Sequence, residues 1–154
     1  VLDDNSIGKT ICYHTGNEYF VKNIDSYTHE LLEKKSRLLH KDSIQEKANY
    51  FHIESEYLYK NNLFAQSITS YDEAINYYRR LCSTNDSAHL EIMTALLQKG
   101  DAYLQQKQIK EAFDCYQQVV DYPKLPAKLQ TAQTINKAIA YHFQGHILLP
   151  GAHI

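Results

Sequence analysis

The chain has 154 residues, of which 44% are hydrophobic and 22% are charged, and its formal net charge is −2. This length and composition suit one folded domain with a continuous core, and the slight negative charge gives no basic footprint of the kind expected for a nucleic-acid-binding protein. No apolar run approaches the ~20 residues that a membrane-spanning helix needs, so we expect no insertion into a membrane.

The first part of the chain is predicted to hold an arm and two helices. Residues 1–16 show no helical period and are expected to be an irregular arm or linker. Apolar residues at helical spacing predict a first helix over about 17–39. Ser43 and Glu46 have the spacing of a capping box, which predicts that a second helix begins there and runs to about Lys60. Few helix breakers, five glycines and three prolines, favour an all-α fold.

Four more helices are predicted from the same periodicity. They are expected at about 64–81, 88–105, 109–122 and 127–144. Pro123 should stop the fifth helix, Pro126 suits the first turn of the sixth, and Gly145 should end the sixth. The expected organisation is an arm over 1–16, a helical domain over 17–145 and a tail over 146–154.

An internal repeat relates the third helix to the fifth at a shift of 45 residues. Tyr71 then superposes on Tyr116, and small residues coincide where Ser55 meets Gly100. Small residues at such positions let two antiparallel helices approach closely. A repeat of helical hairpins predicts a solenoid whose concave face is the usual binding surface.

Residues 51–78 and 96–123 resemble tetratricopeptide repeats. The family's pattern has four positions: a small residue, an apolar or aromatic residue, a second small residue and an aromatic residue. The chain matches it twice, first with Ser55, Leu58, Ser67 and Tyr71 and then with Gly100, Tyr103, Ala112 and Tyr116. The 45-residue period is longer than the family's usual ~34. The resemblance implies antiparallel helical hairpins stacked as a right-handed superhelix of about six helices. Ala138, Tyr141 and Gly145 match the beginning of a third repeat, whose second helix Pro150 would prevent.

The resemblance also implies a partner-binding groove on the inner face of each first helix. By register this face holds Asn49, His52, Glu56, Tyr59 and Lys60, then Leu97, Asp101, Leu104 and Gln105, and in the sixth helix Ile135, Ile139, His142 and Phe143. These positions lack the cationic clamp with which some family members hold a peptide carboxylate. We expect the groove to suit a partly apolar segment with some basic character, such as an amphipathic helix. Alternatively, these residues only pack against neighbouring helices.

The sequence therefore predicts a protein–protein interaction domain that binds a partner protein or peptide and performs no catalysis. No cofactor, metal or nucleic acid is expected, and the oligomeric state stays open. Cys12, Cys82 and Cys115 are far apart and form no CxxC motif, which indicates a reducing compartment and hence the cytoplasm. A peptide-sensing regulatory domain of a larger bacterial regulator is the alternative. A thiol-dependent enzyme using Cys12 and His14 is a third possibility.

Two further patterns are weaker. His142 and His146 have a spacing that zinc sites use, but a helix ending at Gly145 would separate them and no acidic third ligand is adjacent, which favours two surface histidines. Gly8, Lys9 and Thr10 resemble the end of a phosphate-binding loop, but Asp3 stands where that motif needs glycine.

Overall fold

The computed structural model describes residues 33–35, 37 and 43–149. The chain forms two compact units, Val1–Asp42 and Ser43–Ile154. In the first unit the described residues are helical, and Arg37 lies 3.9 Å from the Glu33 carboxylate. The predicted arm and the rest of the predicted first helix lie outside the described residues. The predicted domain boundaries at residues 16 and 145 stay predictions.

The second unit is all-helical over its described residues. It contains α1 (Ile44–Lys60), α2 (Phe64–Leu81), α3 (Ala88–Gln105), α4 (Ile109–Val120), a 3₁₀ turn (Ala127–Leu129) and α5 (Gln130–Leu148). Each α-helix packs on the next one along the chain, and α3 also contacts α5. This arrangement is that of stacked helical hairpins, so the predicted fold class is confirmed.

The helix ends follow from local hydrogen bonding. The Ser43 hydroxyl accepts the Glu46 backbone N–H at 3.2 Å, so α1 begins at the predicted N-cap. The predicted bounds of α1, α2 and α3 are confirmed. The α4 helix ends at Val120, before the predicted 122, because the residue that precedes Pro123 disfavours helical backbone.

The predicted sixth helix differs from the structure at both ends. Residues 127–129 form a 3₁₀ turn, in which the Leu129 amide donates to the Pro126 carbonyl at 2.8 Å. The predicted end at Gly145 is wrong, because α5 continues to Leu148. The Leu149 amide donates to the Gly145 carbonyl at 3.0 Å. A glycine inside a helix costs only about 1 kcal/mol, which does not by itself end the helix.

The turn inside each helical hairpin shows the 45-residue repeat in its backbone conformation. Asn62 has φ 62° in the α1–α2 turn, and Lys107 has φ 64° in the α3–α4 turn. In both turns the next residue donates its backbone N–H to the carbonyl five residues earlier. Leu63 donates to the Leu58 carbonyl and Gln108 to the Tyr103 carbonyl, both at 2.9 Å. The two hairpins therefore share one turn geometry.

This geometry predicts that Lys107→Gly stabilises the protein. A side chain in left-handed backbone is strained by about 1–2 kcal/mol, and glycine removes that strain at some cost in unfolded-state entropy. We expect a net gain of up to about 1 kcal/mol in the free energy of unfolding, measured by urea denaturation. Asn62→Gly should gain less, because asparagine tolerates this backbone conformation. Equal or reversed gains would contradict the turn assignment.

The centre of the second hairpin is the contact between Gly100 of α3 and Tyr116 of α4. A Cβ placed on Gly100 would lie 2.7 Å from Cε1 of Tyr116. Tyr116 is fully buried, and its ring stacks on Phe143 of α5 at a centroid distance of 5.2 Å. Gly100 is therefore a close-approach position, as its small size predicts, and Tyr116 joins three helices.

Candidate partner-binding groove

A shallow cavity of about 290 Å³ lies between the first helices of the two hairpins. We call it the α1/α3 groove and define it by its lining residues, Glu56, Tyr59, Lys60, Tyr71, Gln98 and Asp101. The α1 helix supplies the first three, α2 supplies Tyr71, and α3 supplies the last two. Glu56, Tyr59, Lys60 and Asp101 are predicted groove residues, and the fold brings them to one cavity.

A chain of hydrogen bonds holds one wall of the groove. Gln98 Oε1 lies 2.7 Å from His52 Nε2, and because a carbonyl oxygen only accepts, this nitrogen carries the proton in the neutral ring. His52 Nδ1 then accepts the Tyr78 hydroxyl at 3.0 Å. Gln98 Nε2 donates to the Glu56 carboxylate at 3.0 Å. The chain links α2, α1 and α3 and fixes the Glu56 carboxylate at the groove.

The other wall is built around Asp101. Its carboxylate accepts the Tyr116 hydroxyl at 2.6 Å, so the contact that anchors the core also orients a groove side chain. Burial raises the pKa of Asp101, and the Tyr116 hydrogen bond opposes that rise. Burial and then the nearby Asp101 charge raise the pKa of Tyr59, and the Gln105 side chain opposes that rise. The Tyr59 ring packs edge-on against Phe64 at 5.2 Å.

The groove carries more acidic than basic groups. Glu56 and Asp101 supply two carboxylates, and Lys60 supplies one ammonium group. Burial, followed by the Glu56 charge, raises the pKa of Tyr71, so its hydroxyl stays protonated. The half-buried Tyr59 adds an aromatic surface with a polar end, a type of side chain enriched at interfaces.

The other predicted groove residues lie at different depths. His52 and Leu97 are buried, with 9% and 7% of their surface exposed, so they support the groove from below. Leu104 is half-buried, and Gln105 is exposed. Asn49 is exposed, and its side-chain oxygen accepts Gln45 Nε2 at 3.0 Å. Contact of any of these residues with a partner stays a prediction.

The α5 residues predicted for this face lie outside the α1/α3 groove. Ile135, Ile139 and His142 are exposed, and Phe143 stacks on Tyr116. Sequence reasoning missed Gln98 as a lining residue and placed Tyr71 only in the packing. The signal for Gln98 was its position three residues before Asp101, since residues three apart share a helix face.

A second cavity of about 670 Å³ contains none of the predicted groove residues. It lies between the end of α2, the beginning of α3, α4 and the 121–126 loop. At its wall His89 Nδ1 lies 2.7 Å from the Tyr122 hydroxyl and 3.4 Å from the Cys82 sulfur. Burial raises the pKa of Tyr122 to about 12 and raises the pKa of the Cys82 thiol. This thiol is therefore harder to ionise than free cysteine, unlike an activated nucleophile.

Residues 94–124 match the family model described as tetratricopeptide repeat. The matched segment holds the Gly100–Tyr116 contact, the Lys107 turn and Pro123. The α3–α4 hairpin is therefore similar to a tetratricopeptide repeat, and the stacked helical hairpins of the described residues support this likeness. Such repeats generally act as non-catalytic scaffolds for protein–protein interaction. No curated protein and no solved structure shows a significant match to the chain.

Three further properties of the described residues concern membranes, metals and thiols. None of the described helices is both long enough and apolar enough to cross a bilayer. Within the described ranges no three histidine, cysteine or acidic side chains lie close enough together to hold a metal ion. Cys82 and Cys115 are free thiols, and burial raises the pKa of Cys115 to about 11. Cys12 and His14 lie outside the described residues.

Proposed function

We propose that this domain binds a partner protein or peptide through the α1/α3 groove. The observation that supports the proposal is the convergence of Glu56, Tyr59 and Asp101, predicted from the repeat register, on one cavity between the two hairpins. The groove is open to solvent at Glu56 and Lys60 and is held in shape by hydrogen bonds on both sides. A preformed site of this kind loses little conformational entropy on binding.

The charges of the groove indicate the chemistry of the partner. With two carboxylates and one ammonium group, it favours a segment that carries a lysine or arginine. Tyr59 and the half-buried Leu104 offer apolar surface on α1 and α3, which favours an apolar side chain near that cation. An amphipathic helix or a short extended segment with one basic residue meets both requirements.

Two further properties belong to this proposal. We infer that the domain itself performs no catalysis and that other parts of its complexes supply any activity. We also infer a reducing compartment, the cytoplasm, because the described cysteines are unpaired. The net charge of −2 supports a partner other than nucleic acid.

A matched pair of charge reversals tests the groove. Glu56→Lys changes an exposed carboxylate at the groove, and Glu73→Lys makes the same change at an exposed position of α2 that does not line it. In affinity capture with quantitative mass spectrometry, a specific partner should be lost from Glu56→Lys and kept by Glu73→Lys. For a purified partner we expect at least about tenfold weaker binding, or about 1.4 kcal/mol.

The comparison is valid only if both variants have the circular dichroism spectrum of the wild type, which shows that they fold normally. Retention of the same partner by Glu56→Lys at full affinity would contradict the groove. Equal loss in both variants would point to the overall charge of the domain instead. Leu97→Arg is unsuitable as a test, because Leu97 is buried and a charge there would destabilise the fold.

A further inference from the structure

Two histidines share one face of α5. The helix continues through Gly145 to Leu148, so His142 and His146 stand four residues apart on unbroken helix. Their ring centroids are 4.4 Å apart, with an interplanar angle of 73°. Both side chains are exposed. One of the two sequence arguments against a paired role, a helix end between the histidines, therefore does not hold, while the lack of an adjacent acidic ligand remains.

The pair has the chemistry of a chelate. Side chains four residues apart project from the same side of a helix. Two histidines at this spacing supply two of the ligands in known zinc sites. A neutral imidazole nitrogen suits Zn²⁺, Cu²⁺ and Ni²⁺. Ile139 and Ile135 continue the same stripe one and two turns earlier. Neither of these two side chains carries an ammonium or guanidinium group that would repel a cation.

We propose that His142 and His146 together bind one divalent transition-metal ion, through one imidazole nitrogen from each ring. No third histidine, cysteine or acidic side chain of the described residues completes the site. Water fills the remaining coordination positions, as it does at open zinc sites. The six residues of the α1/α3 groove take no part, so this proposal and the proposed function can fail separately.

Titration with Zn²⁺ followed by calorimetry tests the pair. The wild type should bind one ion at this site, and His142→Ala and His146→Ala should each weaken that binding at least tenfold. Binding should also raise the melting temperature of the wild type, because a ligand that binds only the folded state stabilises it.

A matched control keeps two histidines but changes their geometry. Tyr141→His combined with His146→Ala places them on adjacent positions, about 100° apart around the helix. Tyr141 is 60% exposed, so the fold should tolerate the change. This control should bind Zn²⁺ as weakly as the alanine variants. Wild-type affinity in the control, or in the double variant His142→Ala/His146→Ala, would overturn the proposal.

Discussion

Replacing Tyr116 with alanine should lower the free energy of unfolding of the Ser43–Ile154 unit by about 3–5 kcal/mol. Tyr116 is fully buried, and its ring stacks on Phe143 while its hydroxyl donates to Asp101 at 2.6 Å. The substitution leaves a cavity between α3, α4 and α5 and removes the hydrogen-bond partner of a half-buried carboxylate. Urea denaturation followed by circular dichroism measures the loss.

Tyr141→Ala is the matched control for this loss. It removes the same atoms from α5, where 60% of the side chain is already exposed. Its effect should stay within about 0.5 kcal/mol, as for ordinary surface substitutions. A similar loss in the two variants would contradict the assignment of Tyr116 as the side chain that joins the three helices.

The second large effect is expected at Gly100, where alanine should destabilise the protein. The added Cβ would lie 2.7 Å from Cε1 and 2.9 Å from Cζ of Tyr116. The ring cannot move away freely, because the stack on Phe143 and the bond to Asp101 hold it. Overpacking costs about 1–3 kcal/mol, and the better helix propensity of alanine returns up to about 1 kcal/mol. We expect a net loss of about 1–2 kcal/mol.

The same substitution at Gly145 should have the opposite sign. Apart from its chain neighbours and the nearby backbone of α5, no atom of the described residues lies within 4 Å of a Cβ placed there, and the residue is inside α5. Gly145→Ala should therefore stabilise by up to about 1 kcal/mol through helix propensity alone. Gly100 is required because a side chain there would clash with Tyr116, whereas Gly145 is only tolerated inside its helix. A loss at both positions would contradict this account of α5.

A double-mutant cycle connects the two effects. In a Tyr116→Ala background the ring that Gly100→Ala would strike is gone. Gly100→Ala should then be neutral or slightly stabilising, which gives a coupling energy of about 1–3 kcal/mol between the two positions. Additive losses would show that the close approach of α3 and α4 does not depend on this ring.

Much of the repeat architecture is readable from the sequence because it rests on local signals. The Ser43 cap sets the beginning of α1, and the 45-residue shift from Asn62 to Lys107 reappears as two turns with the same backbone conformation. These local signals mislead at Gly145, because a glycine can either end a helix or lie inside one. Gly145 reads as a helix end, but the backbone there keeps its helical hydrogen bond, and no pattern in the sequence distinguishes the two outcomes.

The sequence predicts which residues share the face of the groove, but it does not predict how deeply each one is buried. The spacing of Glu56, Tyr59 and Asp101 identifies one face, and the fold brings these residues to one cavity. His52 and Leu97 share that register yet are buried, because the distance between α1 and α3 decides exposure and periodicity does not encode it. Gln98 becomes part of the site through its bonds to His52 and Glu56, which depend on tertiary structure.

Hydrogen exchange of the domain with and without a purified partner tests the proposed groove most directly. Binding there should slow amide exchange in peptides that cover the ends of α1 and α3, around Tyr59 and Asp101. Exchange at the larger cavity, around Tyr122 and Asp114, should change little. Protection confined to that second cavity, with unchanged exchange at α1 and α3, would contradict the α1/α3 groove.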